Sequence, residues 1–412
     1  MATYINATSG IPQYSPSTPA SFGFDAFGRT KIAQPYTLFD SQHRYVSGDE
    51  YSDLTHGTAT VTYLANESTD ALTIGTASGD YIYRESKKCF PYQPGKALTV
   101  MQTFVMGPAK AGLRQRVGYF SRQNGIYLQR SGNTISVVKR TFASGQLVEE
   151  VVNQSNWNVD KMDGLGPSRI TLDLSKAQIL FSEYEWLGVG SAKIGFAING
   201  QFITVHQFNH ANIIDSVYMT TATLPVRYEI ENFAVTASSS TLKQICTTVL
   251  SNGGYDRHPE IWSASRITPL TNIGSTFLPL AAVRLVTGRM DSVVTIAHLN
   301  IATTTNTLFE WALVRNPTLT GGSWVQNTPS QDTEYNVTAT GTSGGTIVRR
   351  GYLAGSNQNN AAADIDIPVG FDHQLGRTNS DTPVSDIYCL QIRSLSAQTG
   401  DAVGSIQWHE LV

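Results

Sequence analysis

Glu183 and Glu185, in Phe181-Ser182-Glu183-Tyr184-Glu185-Trp186, are the residues whose types and spacing come nearest to a catalytic pair. On a strand, side chains two apart share a face. A retaining glycosidase needs two carboxylates about 5–5.5 Å apart, one to attack and one to donate a proton. The alternating Glu-x-Asp-x-Glu strand typical of lectin-like glycan hydrolases is absent, so a solvated pair on an exposed face is the expected reading. His206 and His210 have the four-residue spacing of a helical zinc pair, but the Glu that follows the first His in metalloproteases is missing. The run before them reads as strand, where residues four apart are over about 10 Å apart. Ordinary hydrogen-bonded histidines are expected. Asn158, Asp160, Asp163 and Asp173 supply oxygen donors, yet not at EF-hand spacing, and Asp163-Gly164-Leu165-Gly166-Pro167 reads as a turn. No phosphate loop, nucleophile elbow or Cys-x-x-Cys pair occurs. The expectation is no catalytic residue, no metal site and no cofactor. Trp157, Trp186, Trp262 and Trp324, in or near turns, are the candidates for stacking on a sugar, against the commoner role of core filler.

The elements that must position these residues are strands. Ile170-Thr171-Leu172-Asp173-Leu174, Ile194-Gly195-Phe196-Ala197-Ile198 and Phe202-Ile203-Thr204-Val205-His206 alternate apolar and polar residues, and turn residues interrupt them. Such period-two runs are half-buried antiparallel strands. Leu98–Met106, the longest apolar-rich run of the first half, is expected at a sheet's centre. Arg116–Phe120, Ile126–Arg130 and Thr134–Arg140, joined through Asn124-Gly125 and Ser131-Gly132-Asn133, predict a three-strand meander. The best helical segment, Leu174–Leu180, is one or two turns long. The fold class is therefore all-β: an extended arm and two antiparallel β-sandwiches of lectin-like or jelly-roll type.

Residues 1–55 read as the arm, because Pro12, Pro16 and Pro19 exclude a long helix or central strand. Phe22, Phe24 and Phe27 give it large apolar groups without a core of its own. Leaving each exposed forfeits about 1.5–3 kcal/mol, so the arm should fold back or dock on another subunit, the second being preferred. Residues 56–237 form the first sandwich, and Ser238-Ser239-Ser240-Thr241 is the polar joint to a second at 238–412.

Only 15% of the 412 residues are charged and the net charge is −3, which gives no reason to expect nucleic acid or an anionic membrane as partner. No apolar run is long enough to span a bilayer. The N-terminus shows no basic region followed by an apolar core, so no signal peptide is expected. Cys89, Cys246 and Cys389, odd in number and far apart, argue against a disulfide framework and fit a reducing compartment.

Phe27-Gly28-Arg29 followed by Gln34–Asp40, with Trp157–Asp160, Gly164–Ser168, Trp186–Gly190, His210–Asn212 and Leu224–Ile230, resembles structural proteins of tailed bacteriophages, particularly marine and cyanobacterial phages. Leu313–Gly321 and Thr342–Gly345 extend the likeness to the second half. The resemblance implies a virion component assembled in the host cytoplasm, with Phe24, Phe27, Arg29, Tyr36 and Phe39 as docking residues. Expected partners are other virion proteins and further copies of the chain, a trimer being one symmetry open to a fibre. A host surface glycan is the partner in the alternative reading, a tail fibre or adhesin. A depolymerase using Glu183 and Glu185 is the third.

Overall fold

The structure, a computed structural model, describes residues 34–256, 259–303, 305–329, 331–354, 362–367, 371–396 and 398–411. Phe24, Phe27 and Arg29 lie outside the described residues. The first part of the chain forms β1 (Tyr36–Gln42), β2 (Tyr51–His56), β3 (Thr60–Leu64), β4 (Thr69–Ile74), β5 (Tyr81–Ser86), β6 (Ala97–Val105), β7 (Leu113–Phe120) and β8 (Gly125–Ser131). It continues through β9 (Thr134–Thr141), β10 (Val148–Asn153), β11 (Gln178–Tyr184), β12 (Ala192–Ile198), β13 (Gln201–Phe208), β14 (Val226–Asn232) and β15 (Ser240–Asn252). Among the described residues the only helical element is the 3-10 turn Gln154–Asn156.

These strands make two facing antiparallel sheets. One has the order β13-β12-β11-β6-β15-β4-β3, with β1 added beside β15, and the other β10-β9-β8-β7-β14-β5-β2. Leu72, Phe104, Leu180 and Val249 from the first meet Val117, Tyr119, Leu128 and Ile230 from the second in one core. The expected central run is β6, between β11 and β15, and the expected meander is β7-β8-β9, which β10 extends.

Two boundaries and one element differ from the sequence expectation. The polar joint Ser238–Thr241 does not lead out of the first sandwich but into β15, which pairs with β6 on one side and with β4 and then β1 on the other. Its hydroxyls are engaged: Thr241 Oγ1 meets Thr73 Oγ1 of the neighbouring β4 at 2.9 Å, and Ser240 Oγ accepts from Lys110 of the β6–β7 loop at 2.9 Å. The arm ends sooner than residue 55, since β1 and β2 are strands of the sandwich. Leu174–Leu180 is not helical. Asp173 accepts the Ser175 N–H at 2.9 Å in a turn, and from Gln178 onward the residues alternate across β11, with Leu180 and Tyr184 in the core.

The second part forms β16 (Glu260–Ile273), β17 (Leu278–Leu285), β18 (Val293–Thr303), β19 (Leu308–Arg315), β20 (Thr318–Thr320) and β21 (Thr333–Asn336). Then come β22 (Gly341–Ser343), β23 (Thr346–Ala354), β24 (Ala362–Asp366), β25 (Ile387–Ser394) and β26 (Gly400–Leu411). Sheets β16-β26-β18-β24 and β21-β17-β25-β19-β23 enclose a separate core around Trp408, Leu280, Leu299 and Leu390. Residues 371–386 form a strap against the first sandwich. Arg377 N–H donates to Lys87 O at 2.8 Å, Gln374 Nε2 to Cys89 O at 2.8 Å and Asn379 N–H to Ser52 Oγ at 2.8 Å.

Candidate functional site

The outer face of the seven-stranded sheet carries the most ordered polar array. In β14 the odd positions Arg227, Glu229 and Glu231 face away from the core that holds Val226, Tyr228 and Ile230. Register then sets them in rows. Ser52, Glu85, Arg227, Gly118, Tyr127 and Val138 lie side by side across six strands, and next to them Leu54, Tyr83, Glu229, Arg116, Gln129 and Ser136.

Within these rows acid and base alternate. Arg227 Nε donates to Glu229 Oε1 at 2.6 Å, and its Nη1 to Glu85. Arg116 donates to Glu229 Oε2 at 2.9 Å and to Gln129 Oε1 at 2.9 Å. Farther along, Arg140 donates to Glu149 Oε1 at 2.7 Å, and the Tyr127 hydroxyl donates to the same oxygen at 2.7 Å. Phe120 and Tyr127 lie beneath Arg140, whose guanidinium is 5.4 and 5.1 Å from their ring centres. Gly118 leaves room for this packing, because a Cβ there would come 2.5 Å from that of Tyr127. The face is dry although it looks away from the core: Arg227 and Glu229 are each 2% exposed.

Burial opposes the charge on Glu229, but Arg227, Arg116 and Arg140 outweigh it and hold its carboxyl down at about 2. Burial likewise works against Glu149, and the Tyr127 hydroxyl and Arg140 overcome it, so that its carboxyl lies below the usual range. Burial first, and then the Glu231 carboxylate that accepts its hydrogen bond, push the Tyr83 phenol up. Carboxylates so held are the reverse of a general acid, which needs a carboxyl that stays protonated near neutrality. Paired guanidinium and carboxylate groups of this kind fix geometry and bind by shape and hydrogen bonding. At the edge of the array His56, Tyr81 and Tyr83 form a stacked strip, with ring centres 5.5 and 4.4 Å apart.

The residues singled out from sequence are not brought together. Glu183 and Glu185 are not a solvated pair; they are 3% and 0% exposed. Glu183 lies on the outer face of the other sheet and accepts from Thr99 Oγ1 at 3.3 Å and Asn252 Nδ2 at 3.1 Å, whereas Glu185 stands past the end of β11, its N–H on Ser191 O. His206 Nδ1 accepts the Asn158 N–H at 3.3 Å. His210 stacks on Tyr218 with ring centres 3.9 Å apart, its Nδ1 against Gly190 O and its Nε2 against Lys139 Nζ, so both nitrogens are engaged. Asp160 and Asp163 each accept turn N–H groups, from Met162 and Ser168 and from Leu165 and Gly166. Among the described residues no His, Cys, Asp and Glu side chains converge as a metal site.

Trp157 is a core residue, 3% exposed, with its indole N–H on Val152 O. Trp186 packs half-buried against the same core and donates to Met219 O. Trp262 packs against the second core, and Trp324 is covered by the Arg284 guanidinium at 4.1 Å. Tyr36 and Phe39 belong to β1: Tyr36 stacks on Tyr255 and Phe39 is buried against Phe90 and Tyr51. The array that matters was present in the sequence as Arg227-x-Glu229-x-Glu231, charges at alternate positions between apolar residues. That pattern marks a strand with a polar outer face, but the partners Glu85, Arg116 and Arg140 are brought to it only by sheet register.

No protein-family model and no curated protein matches the chain. Solved structures with similar folds include the CBM2 module of the evolved Dit of Lactobacillus casei BL23 phage J-1, at 6% identity, covering 54% of this chain and 98% of that one with a TM-score of 0.35. Arcelin-5, a lectin-like defence protein from Phaseolus vulgaris, is 8% identical over 53% of this chain and 99% of its own, with a TM-score of 0.31. A beta-1,3-glucanase from Mycobacterium marinum is 11% identical over 52% and 98%, with a TM-score of 0.34.

Proposed function

We propose that the chain is a non-enzymatic structural component of a tailed-phage virion, docked through its N-terminal segment and assembled through its sandwiches. The observation that carries the non-enzymatic part is the ion-paired face, where Glu85, Glu149, Glu229 and Glu231 are each tied to an arginine. Such a face gives rigidity, and its arginines hold the Glu229 and Glu149 carboxyls below the usual range, the reverse of a general acid. The virion part rests on the sequence resemblance. Because β1 begins at Tyr36, the test is a chain lacking residues 1–33, which keeps every described strand. It should remain folded, with an unchanged circular-dichroism melt, and be missing from purified particles. Incorporation at the full-length level would overturn the reading.

A host-facing glycan site is the second reading, and the stacked strip of His56, Tyr81 and Tyr83 favours it. The half-buried Tyr81 and Tyr83 rings and the exposed His56, beside a hydrogen-bonding face, suit the apolar face and hydroxyl rim of a sugar. On this reading Tyr81→Ala with Tyr83→Ala abolishes saturable binding to host polysaccharide. Equal binding by the double variant would remove the site.

A further inference from the structure

The outer edge of the second sandwich carries a charged clamp. β24 ends the sheet β16-β26-β18-β24 and pairs with β18 alone. Its Ala363 and Ile365 turn toward the second core, so Asp364 and Asp366 share the outer face. Opposite them on β18 stand Asn300, in register with Asp364, and His298, in register with Asp366. A bulge brings His298 there. Ile296 faces the core, and simple alternation would turn His298 inward as well; the register shift between Ile296 and His298 resets the strand, so that Leu299 and Ile301 face the core and His298 faces out. His298 Nδ1 then lies 2.9 Å from Asp366 Oδ1, and its Nε2 meets Asp364 Oδ1, which also accepts from Asn300 Nδ2 at 3.1 Å. An ionised carboxylate only accepts, and a neutral imidazole carries one N–H. Both contacts are hydrogen bonds only when the ring is the imidazolium. The carboxylates take different ring nitrogens, so the three groups do not converge as metal ligands.

We propose that His298 is a proton-controlled latch for β24: the imidazolium holds the strand on the sheet, and its deprotonation releases the strand and opens the edge of β18. The charged groups that face His298 are Asp364 and Asp366 of β24. On its other side β26 sets Gln407 beside it, with Ser263 of β16 next in the row, and His409 stands one step along that face, opposite Thr295. The strap bonds His373 O to the Ile296 N–H, while the His373 ring meets Arg349 and the Tyr388 ring instead. Burial works against the charge on His298, but the hydrogen bonds to Asp366 and Asp364 and their attraction outweigh it and raise its value. A raised group contributes stability that is present below the unfolded value of about 6.5 and lost as pH rises through the folded one. The neutral ring can bond only one of the two aspartates. Ala363 and Ile365 are partly buried and give β24 little else to hold it. Once β24 leaves, the backbone groups of β18 from His298 to Ala302 that it had paired form an open edge, which suits the addition of another strand.

The test is hydrogen–deuterium exchange of the full chain and of His298→Gln, in EDTA, from about pH 5.5 to about pH 8.5, either side of the usual histidine value. Mass spectrometry follows the peptide that holds Asp364 and Asp366, and each rate is divided by that of the unfolded peptide at the same pH. In the unaltered chain the protection of β24 should fall about five-fold across the range, the scale of a favourable exposed ion pair. His298→Gln, which hydrogen-bonds but takes up no proton, should show the lower protection throughout, and peptides of β25 should change in neither protein. A flat profile in the unaltered chain overturns the latch, as does a fall of the same size in the variant. A variant that is less protected by one constant factor at every pH shows a packing role only and also overturns it. Asp366→Asn keeps the ring and removes one carboxylate, so the fall should move to lower pH; a fall that stays in place overturns the assignment to the clamp.

Discussion

Replacing Arg227 by methionine should destabilise the protein by about 3–5 kcal/mol, the range for removing one partner of a buried ion pair. Arg227 is 2% exposed between Glu85 and Glu229, and its guanidinium lies 5.4 Å from the Tyr83 ring centre and 5.6 Å from that of Phe120. Methionine keeps much of the packing and deletes the charge, leaving two buried carboxylates to Arg116 and Arg377. The effect must also appear in acid. The Glu229 carboxyl is lowered to about 2 in the folded chain against about 4.3 when unfolded. A depressed carboxyl contributes stability that is present above the unfolded value and lost as pH falls through the folded one. At about 1.4 kcal/mol per unit this amounts to roughly 3 kcal/mol at neutral pH. The unaltered protein should keep this contribution down to about pH 4 and lose it between about pH 4 and 2, whereas Arg227→Met should unfold at a higher pH. Urea melts at pH 7 and an acid titration followed by circular dichroism measure both. A loss under 1 kcal/mol with an unchanged acid midpoint would show that the array contributes little.

The same strand shows what a sequence can and cannot reveal here. Alternation makes β14 and the β7-β8-β9 meander readable as strands, because side-chain direction is set locally by the pleat, whereas β6 is legible as an apolar-rich run. The polar face of β14 was equally local. What Arg227 touches is not: Glu85 lies 142 residues away in sequence and is placed by the β14–β5 register. Ser238–Thr241 misled for a related reason. A hydroxyl-rich stretch reads as a solvated linker, yet here Thr241 bonds across the sheet to Thr73 and Ser240 accepts from Lys110 of the β6–β7 loop. The indoles were chosen as stacking candidates because they lie near turns. Trp157 turns inward because its N–H finds Val152 O five residues back, and its ring then joins the core. The glutamates fared likewise, since Thr99 and Asn252, neighbours only by strand pairing, remove Glu183 from solvent.

Arg377→Ala should uncouple the two sandwiches. Arg377, 6% exposed in the strap of residues 371–386, joins Glu85 of the first sandwich to Asp291 of the second, with Nε–Oδ1 and Nη2–Oδ1 distances to Asp291 of 2.8 and 2.7 Å. Its Nη2 also faces the buried Cys89 sulfur at 3.8 Å. Burial above all, and the Asp291 carboxylate next to it, push the Cys89 thiol well up. The outer ion pairs of this junction, Arg315–Asp49 and Arg122–Asp381, are exposed on the aspartate side. Pairs so placed are worth about 0–1 kcal/mol. The polar part of the coupling therefore depends chiefly on Arg377 and the strap's hydrogen bonds to Lys87, Cys89 and Ser52, beside the apolar contact of Val293 and Phe371 with the first core. Removing the guanidinium leaves Glu85 to Arg227 alone and should cost about 3–5 kcal/mol of junction stability. Scanning calorimetry should resolve two transitions where the unaltered chain gives one, and residues 253–256 should become open to protease. Cys89 should gain reactivity toward thiol reagents at the same time. In a double-mutant cycle Glu85→Gln with Arg377→Ala should cost less than the sum of the single changes, since each deletes the other's partner. A single transition at the original temperature, with Cys89 still inert, would mean that the two cores hold together without this arginine.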